Sequence, residues 1–309
     1  RKILELLAAS DKRKDDKKKL RALEEEDDPD FKTATKGIEE DEEELHVALA
    51  ELIGMLFKTH KELTLPLVDV IYTQILSKVL QTNMSEKLNK FGLYLIDDMI
   101  EFLGIELIPQ IWPELAAVIL KFSTSTVSPL RQAAVYGIGL LAQKSKEAFT
   151  NIAGVCVQNV IDSFKIPKGD DLQKYFDYAT DNSTATLGKI LKSHSDVINV
   201  GVVAKVWFEH LPLKKDKTES AEQHELLMDI ILNGNAQLVL GANGEGIDHL
   251  VKIFAQITKT KHSNKAIEEK MARVIQELAR GPTKALLEKA VLGLSELQKQ
   301  RVQAIVGVQ

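Results

Sequence analysis

Apolar positions recur along this chain at the three- and four-residue spacing of an amphipathic helix, in blocks of roughly 15 to 20 residues punctuated by Pro, Gly, Asn and Ser. In 42–60, Leu45, Leu49, Leu52, Ile53 and Leu56 fall on one helical face, and 63–81 follows with the same period. The segments then pair off: 84–104 with 107–123, 127–145 with 146–164, 171–194 with 198–211, 218–235 with 246–259, and 264–279 with 283–294, closed by 295–305. Gly104 stands where a helix C-cap is needed, Ser128 reads as an N-cap, and Pro129 follows it at a first-turn position with no hydrogen bond to lose. The Val-rich stretch 198–208 has strand-like composition, but its place as second member of a pair predicts a helix.

The repeat length is about 40 residues, two antiparallel helices with their turns, within the ~40–47 residues of HEAT and armadillo units. A single hairpin cannot bury its own apolar face, so consecutive hairpins must stack and share a core. The predicted fold is therefore all-α, a HEAT-repeat (armadillo-like) superhelical solenoid of about six hairpins over residues 45–309. Residues 1–44 differ. Leu4, Leu6 and Leu7 read as the end of a preceding helix, and 11–19 and 20–44 then alternate dense basic and acidic runs, the pattern of a solvated helix or a partly disordered insert. The start lacks Met and falls inside an apolar-periodic stretch, as expected of a piece of a longer protein.

Composition narrows the function. Forty Lys+Arg against 45 Asp+Glu leave a formal net charge of −5, the wrong sign for a general nucleic-acid binder, and aromatics at 6% leave few stacking platforms. The lone Cys156 rules out a disulfide framework within the chain, and no run approaches the ~20 apolar residues of a membrane span, so no membrane insertion is expected.

Candidate chemistry is sparse. Gly241, Gly244 and Gly246 follow an apolar run and precede a helix, but Ile247 and Asp248 stand where a phosphate loop needs Lys and Ser/Thr, so a turn between helices is the better reading. Gly137 and Gly139 sit within a helix, as close packing would require. Cys156 reads as buried, the seven histidines are scattered without zinc-enzyme spacing, and Asp97 and Asp98 point about 100° apart on a helix. Asn182-Ser183-Thr184 matches a glycosylation acceptor pattern but no secretory signal accompanies it. No nucleophile has a base, and no enzyme, cofactor or metal is expected.

Residues 128–143, with Pro129, Arg131, Gln132, Ala133, Ala134, Tyr136, Gly137 and Gly139, resemble the HEAT repeats of the importin-β (karyopherin-β) superfamily, most of all the importin five type. Further likeness lies in 95–102, 189–231, 238–254 and the closing 295–305. The resemblance implies the C-terminal portion of a nuclear transport receptor shuttling between cytoplasm and nucleus. Its implied partners are cargo proteins, FG-repeat nucleoporins and, through parent repeats N-terminal to this chain, the GTPase Ran. It transfers no ligand site.

Partner contacts are instead sought on the second helices, which line the concave wall of such a solenoid. The positions chosen are Gln158, Asn159, Asp162, and Glu209 beside Trp207. Carboxylates along that wall would attract Lys/Arg-rich cargo such as histones or ribosomal proteins. The alternative is a HEAT scaffold of a multi-subunit enzyme, for example a phosphatase regulatory subunit.

Overall fold

The computed structural model describes residues 2–21, 29–77 and 85–306. Among these the protein is all-α and contains no strand, and its helices pair along the chain as a helical repeat. Two compact units form, Arg1–Leu107 and Ile108–Gln309.

The first unit comprises α1 (Lys2–Arg21), α2 (Pro29–His60), α3 (Leu65–Ile71) and α4 (Glu86–Asp98), with π-type turns at Tyr72–Leu76 and Met99–Leu103. The first hairpin helix, expected from residue 42, is continuous from Pro29 because the Glu- and Lys-rich run supplies good helix formers. Glu42, buried within that run, accepts from Ser10 and pairs with Arg13 of α1. His46, one turn on, stacks on Phe91 of α4 with ring centroids 5.2 Å apart. Ile53 and Phe57 of α2 share the core with Leu95, Ile96 and Met99. Gly104, at φ +77°, ends the second turn as its C-cap. Asp98 is pressed against Gly54, and its half-buried position, with Glu101 nearby, pushes its carboxyl up to about 7.

The second unit contains α5 (Trp112–Phe122), α6 (Ser128–Lys144), α7 (Lys146–Ser163), α8 (Gln173–His194), α9 (Val200–Glu209), α10 (Lys217–Ile230), α11 (Gln237–Leu240), α12 (Ile247–Ile257), α13 (Lys265–Arg280), α14 (Lys284–Leu292) and α15 (Glu296–Val306). The Val-rich 198–208 segment is helical, as its place in the pairing predicts. Ser128, expected as the N-cap of α6, is its first helical residue. The cap position belongs to Val127, which has no side-chain acceptor, so Asp171 from the loop before α8 accepts the Ser128 amide at 2.7 Å instead. A carboxylate there also faces the positive end of the α6 dipole.

Helix α8 organises this unit, packing against α6, α7, α9 and α10. Its middle, 181–189, reads as polar, yet every residue in it is buried. Burial of such groups is tolerated only when each finds a partner. Thr186 donates to the Val135 carbonyl of α6 at 2.7 Å, and one His194 ring nitrogen bonds Ala142 O at 2.7 Å. Ser183 meets Ser163 of α7 at 2.8 Å, and Asn182 donates to Asp216 at 3.3 Å, which removes it as a glycosylation acceptor. The Asp181 carboxylate accepts the amides of Lys214, Lys215 and Asp216, and Asp216 in turn caps α10 through Thr218 and Glu219. Lys189 completes the set with a buried ion pair to Glu219 and lies over the Tyr136 ring. Burial pushes the Glu219 carboxyl above its usual range, against the pull of Lys189.

Close approach accompanies the bonding. A Cβ on Gly139 would lie 2.9 Å from Thr186 Oγ1, and one on Gly188 would strike Gln223 and Trp207. The packing role predicted for Gly139 is therefore observed at atomic contact.

Two outcomes follow from these burials. Lys189→Met strands Glu219 in the core and lowers stability by ~3–5 kcal/mol, whereas Lys189→Met with Glu219→Leu returns to within ~1 kcal/mol of the parent, measured by urea unfolding. In the first unit, a folded carboxyl raised above its unfolded value contributes stability at low pH that is lost as pH rises towards 7. Asp98→Asn should remove that loss, seen as a higher melting temperature than the parent at pH 8.

Candidate functional site

The five positions selected from sequence do not form one site: Gln158, Asn159 and Asp162 lie together on α7, Trp207 and Glu209 on α9. Gln158 is exposed on α7 but its amide donates to Asp162 at 2.9 Å, and Lys165 holds the other Asp162 oxygen at 2.6 Å. These bonds keep the exposed Asp162 carboxyl below its usual range, with Gln158 the larger cause, and leave it locally neutralised. Asn159 donates to Leu120 O and Ser123 Oγ, each at 3.1 Å, stapling α7 to the C-terminal end of α5. Trp207, placed beside Glu209 by the sequence reading, is instead 0% exposed and donates from Nε1 to Gln223 at 3.0 Å. It points inward because residues two apart on a helix leave on opposite sides. Glu209 is exposed and lines a cavity.

That cavity is a groove of about 730 Å³ between α9 and the segment running from α11 through the glycine turn to α12. Its floor is apolar: Phe208, Val239 and Leu240, all buried. Lys205 and Glu209 line it from α9, Gln237 and Glu245 from the opposite side, and His249 from α12. His249 Nε2 lies 2.9 Å from the Phe208 carbonyl, which can only accept, so Nε2 is the donor of that bond. The ring meets Phe208 edge-on, centroids 4.9 Å apart at 82°. Sequence reasoning missed Lys205, Gln237, Glu245 and His249, since they assemble from three elements spread over 45 positions. The i, i+4 spacing of Lys205 and Glu209 was the one local signal.

The glycine turn forms the groove rather than a phosphate cradle. Gly241 and Gly244 adopt φ +75° and +78°, and a Cβ on Gly246 would fall 2.6 Å from Val239 O. Gly246 N donates to Leu240 O at 2.9 Å. Glu245 closes the turn by accepting from the Asn243 amide at 3.1 Å and its side-chain nitrogen at 3.0 Å. Hydrogen bonds from its own amide and from Asn243 hold its carboxyl below the usual range. A carboxylate already occupies donors that an anion would need.

The remaining sequence candidates are packed. Cys156 is buried and its thiol is pushed up to about 12 by desolvation, which removes it as a nucleophile. Asp97 is buried in the first unit, while Asp98 is half-buried beside it. His224 is fully buried on α10, with Nδ1 2.9 Å from His262 O and Nε2 without a partner. His262 Nδ1 meets Ser220 Oγ at 2.8 Å. Among the described residues no three His, Cys, Asp or Glu are grouped to hold a metal ion, and no helix is long and apolar enough to cross a membrane.

Paired helices along the chain, with a solvent-open groove beside α9 and an interior committed to packing, define a helical-repeat protein with a surface for contact. No protein-family model matches the chain. It is similar to the probable importin-5 homolog of Dictyostelium discoideum, at 25% identity over 177 residues, 55% of this chain and 16% of that protein's length. The matched stretch thus spans about a sixth of the curated relative.

The buried imidazole makes an acid test of the packing. Desolvation lowers His224 from its ordinary 6.5 to about 4, so between those values the unfolded chain binds a proton that the folded chain refuses. Stability from this group is constant above pH 6.5 and falls below it, with a slope approaching ~1.4 kcal/mol per pH unit. Urea unfolding followed between pH 7 and 5 should show a shallower fall for His224→Gln.

Proposed function

We propose that this chain is a C-terminal part of an importin-type nuclear transport receptor, a non-enzymatic scaffold that holds partners by a distributed surface. Residues 45–309 are its repeat array and 1–44 a charged segment leading into it. The parent protein shuttles between cytoplasm and nucleus, binding basic cargo and FG-repeat nucleoporins, and reaches Ran through repeats outside this chain. The observation that carries this reading is the 177-residue similarity to the importin-5 homolog, falling on a chain built of paired helices with the repeat length of HEAT units. The chemistry of the interior supports a binding role: its cysteine is inert and its histidines are tied into packing.

Localisation in living cells tests the reading. The chain fused to a fluorescent protein should accumulate at the nuclear envelope above a size-matched inert fusion, and affinity capture should retrieve nucleoporins. Absence of a nuclear rim, with a phosphatase catalytic chain as the main captured partner, would replace this function with the scaffold alternative.

A further inference from the structure

We infer that the groove between α9 and the glycine turn is a docking site for a basic side chain of an extended peptide, an arginine or lysine whose stem lies on Phe208 and Leu240 and whose cationic head meets Glu209 and Glu245. The inference deepens the transport reading, because a Lys/Arg-bearing segment is what basic cargo presents, but its physical basis is the groove alone.

Gly201 on α9 and Gly241, Ala242 and Gly246 in the turn line the groove; a Cβ on Gly201 would meet only Asn199, whereas one on Gly241 or Gly246 would strike Glu245 or the Val239 and Leu240 backbone, so those two glycines serve the packing of the turn that forms the wall. At about 730 Å³ the groove falls within the size range of pockets that engulf a ligand. What remains at its edge accepts hydrogen bonds. Glu209 makes no hydrogen bond or ion pair among the described residues. Glu245 is held in place by Asn243 and by its own amide, three donors that leave about one of its four acceptor sites open. His249 lines the same wall and is tied down by the bond from Nε2 to Phe208 O. Two carboxylates over an apolar floor match a guanidinium or ammonium head on an aliphatic stem.

The same inventory disfavours other occupants. A phosphate or nucleic-acid backbone would meet two carboxylates. Lys205, on the same face of α9, is the one cationic side chain lining the groove among the described residues, and it competes with the arriving cation. Its removal should therefore strengthen binding, an effect that a purely hydrophobic groove would not show.

The test uses a short fluorescein-labelled peptide with one central arginine between leucines, and the same peptide with uncharged citrulline in its place, each titrated into the whole chain by anisotropy. The arginine peptide should bind ~10-fold tighter, weaken as ionic strength rises, and lose ~5–10-fold with Glu209→Gln. Glu209→Lys should abolish the preference and Lys205→Ala should increase it. Glu209 is exposed at the helix end, so unchanged circular dichroism will confirm that these variants fold. Equal affinity for the two peptides, or an unaltered preference in Glu209→Lys, would overturn the assignment. A nuclear rim retained while the peptides fail to discriminate sinks the groove alone, and discrimination without a rim sinks the transport reading alone.

Discussion

Everything in the second unit depends on satisfying the polar middle of α8. Six polar or charged side chains there are removed from water, and each unmet donor or acceptor would cost ~1–3 kcal/mol. Their partners lie mostly on other elements: the Val135 carbonyl on α6, Ser163 on α7, the amides of 214–216, Asp216, and Glu219 on α10, while Thr184 bonds back to Thr180 within α8. Apolar contact alone would let neighbouring helices slide, because dispersion and burial have little directional preference. Directed bonds from one helix to its neighbours allow one register. The arrangement is also hierarchical, since Asp181 fixes the loop that lets Asp216 cap α10, and that cap brings Glu219 to Lys189.

This polar spine explains where function can reside. Residues that would ordinarily suggest chemistry are consumed by packing: His194 bonds a carbonyl, His224 sits neutral in the core, Trp207 serves Gln223, and Cys156 has no access to its thiolate. What is left for partners is the surface, and there several charges are already paired with near neighbours in sequence, as Asp162 is with Lys165 and Asp248 with Lys252. The groove beside α9 differs because the Glu209 side chain there is exposed and makes no hydrogen bond or ion pair among the described residues. A binding site of this kind acts by complementarity, with the rigid turn around Gly241–Gly246 paying in advance the ordering cost of one wall.

The first unit rests on a different contact. The charged segment enters a helix that continues into the first hairpin, and Glu42 and His46 tie α1, α2 and α4 through side chains one turn apart. Charge runs that look solvated in one dimension can thus include a buried carboxylate, provided a neighbouring helix supplies Ser10 and Arg13.

Hydrophobic periodicity by itself determined that the chain is helical and that its helices come in pairs of about 40 residues, because helix geometry converts a 3.6-residue spacing into a face that must be covered; it did not reveal that the first hairpin helix begins at Pro29. It also determined that Gly104 ends a helix and that Gly139 allows close approach. Tertiary structure alone decided which polar residues go inside, since Thr186 and Lys189 differ from surface residues only through partners 51 and 30 positions away. It likewise decided that Trp207 and Asn159 are structural, that Asp171 rather than Ser128 caps α6, and that Glu209 shares a groove with Glu245 and His249. Sequence spacing reports neighbours along one helix; a groove lined from three elements exists only once those elements have packed.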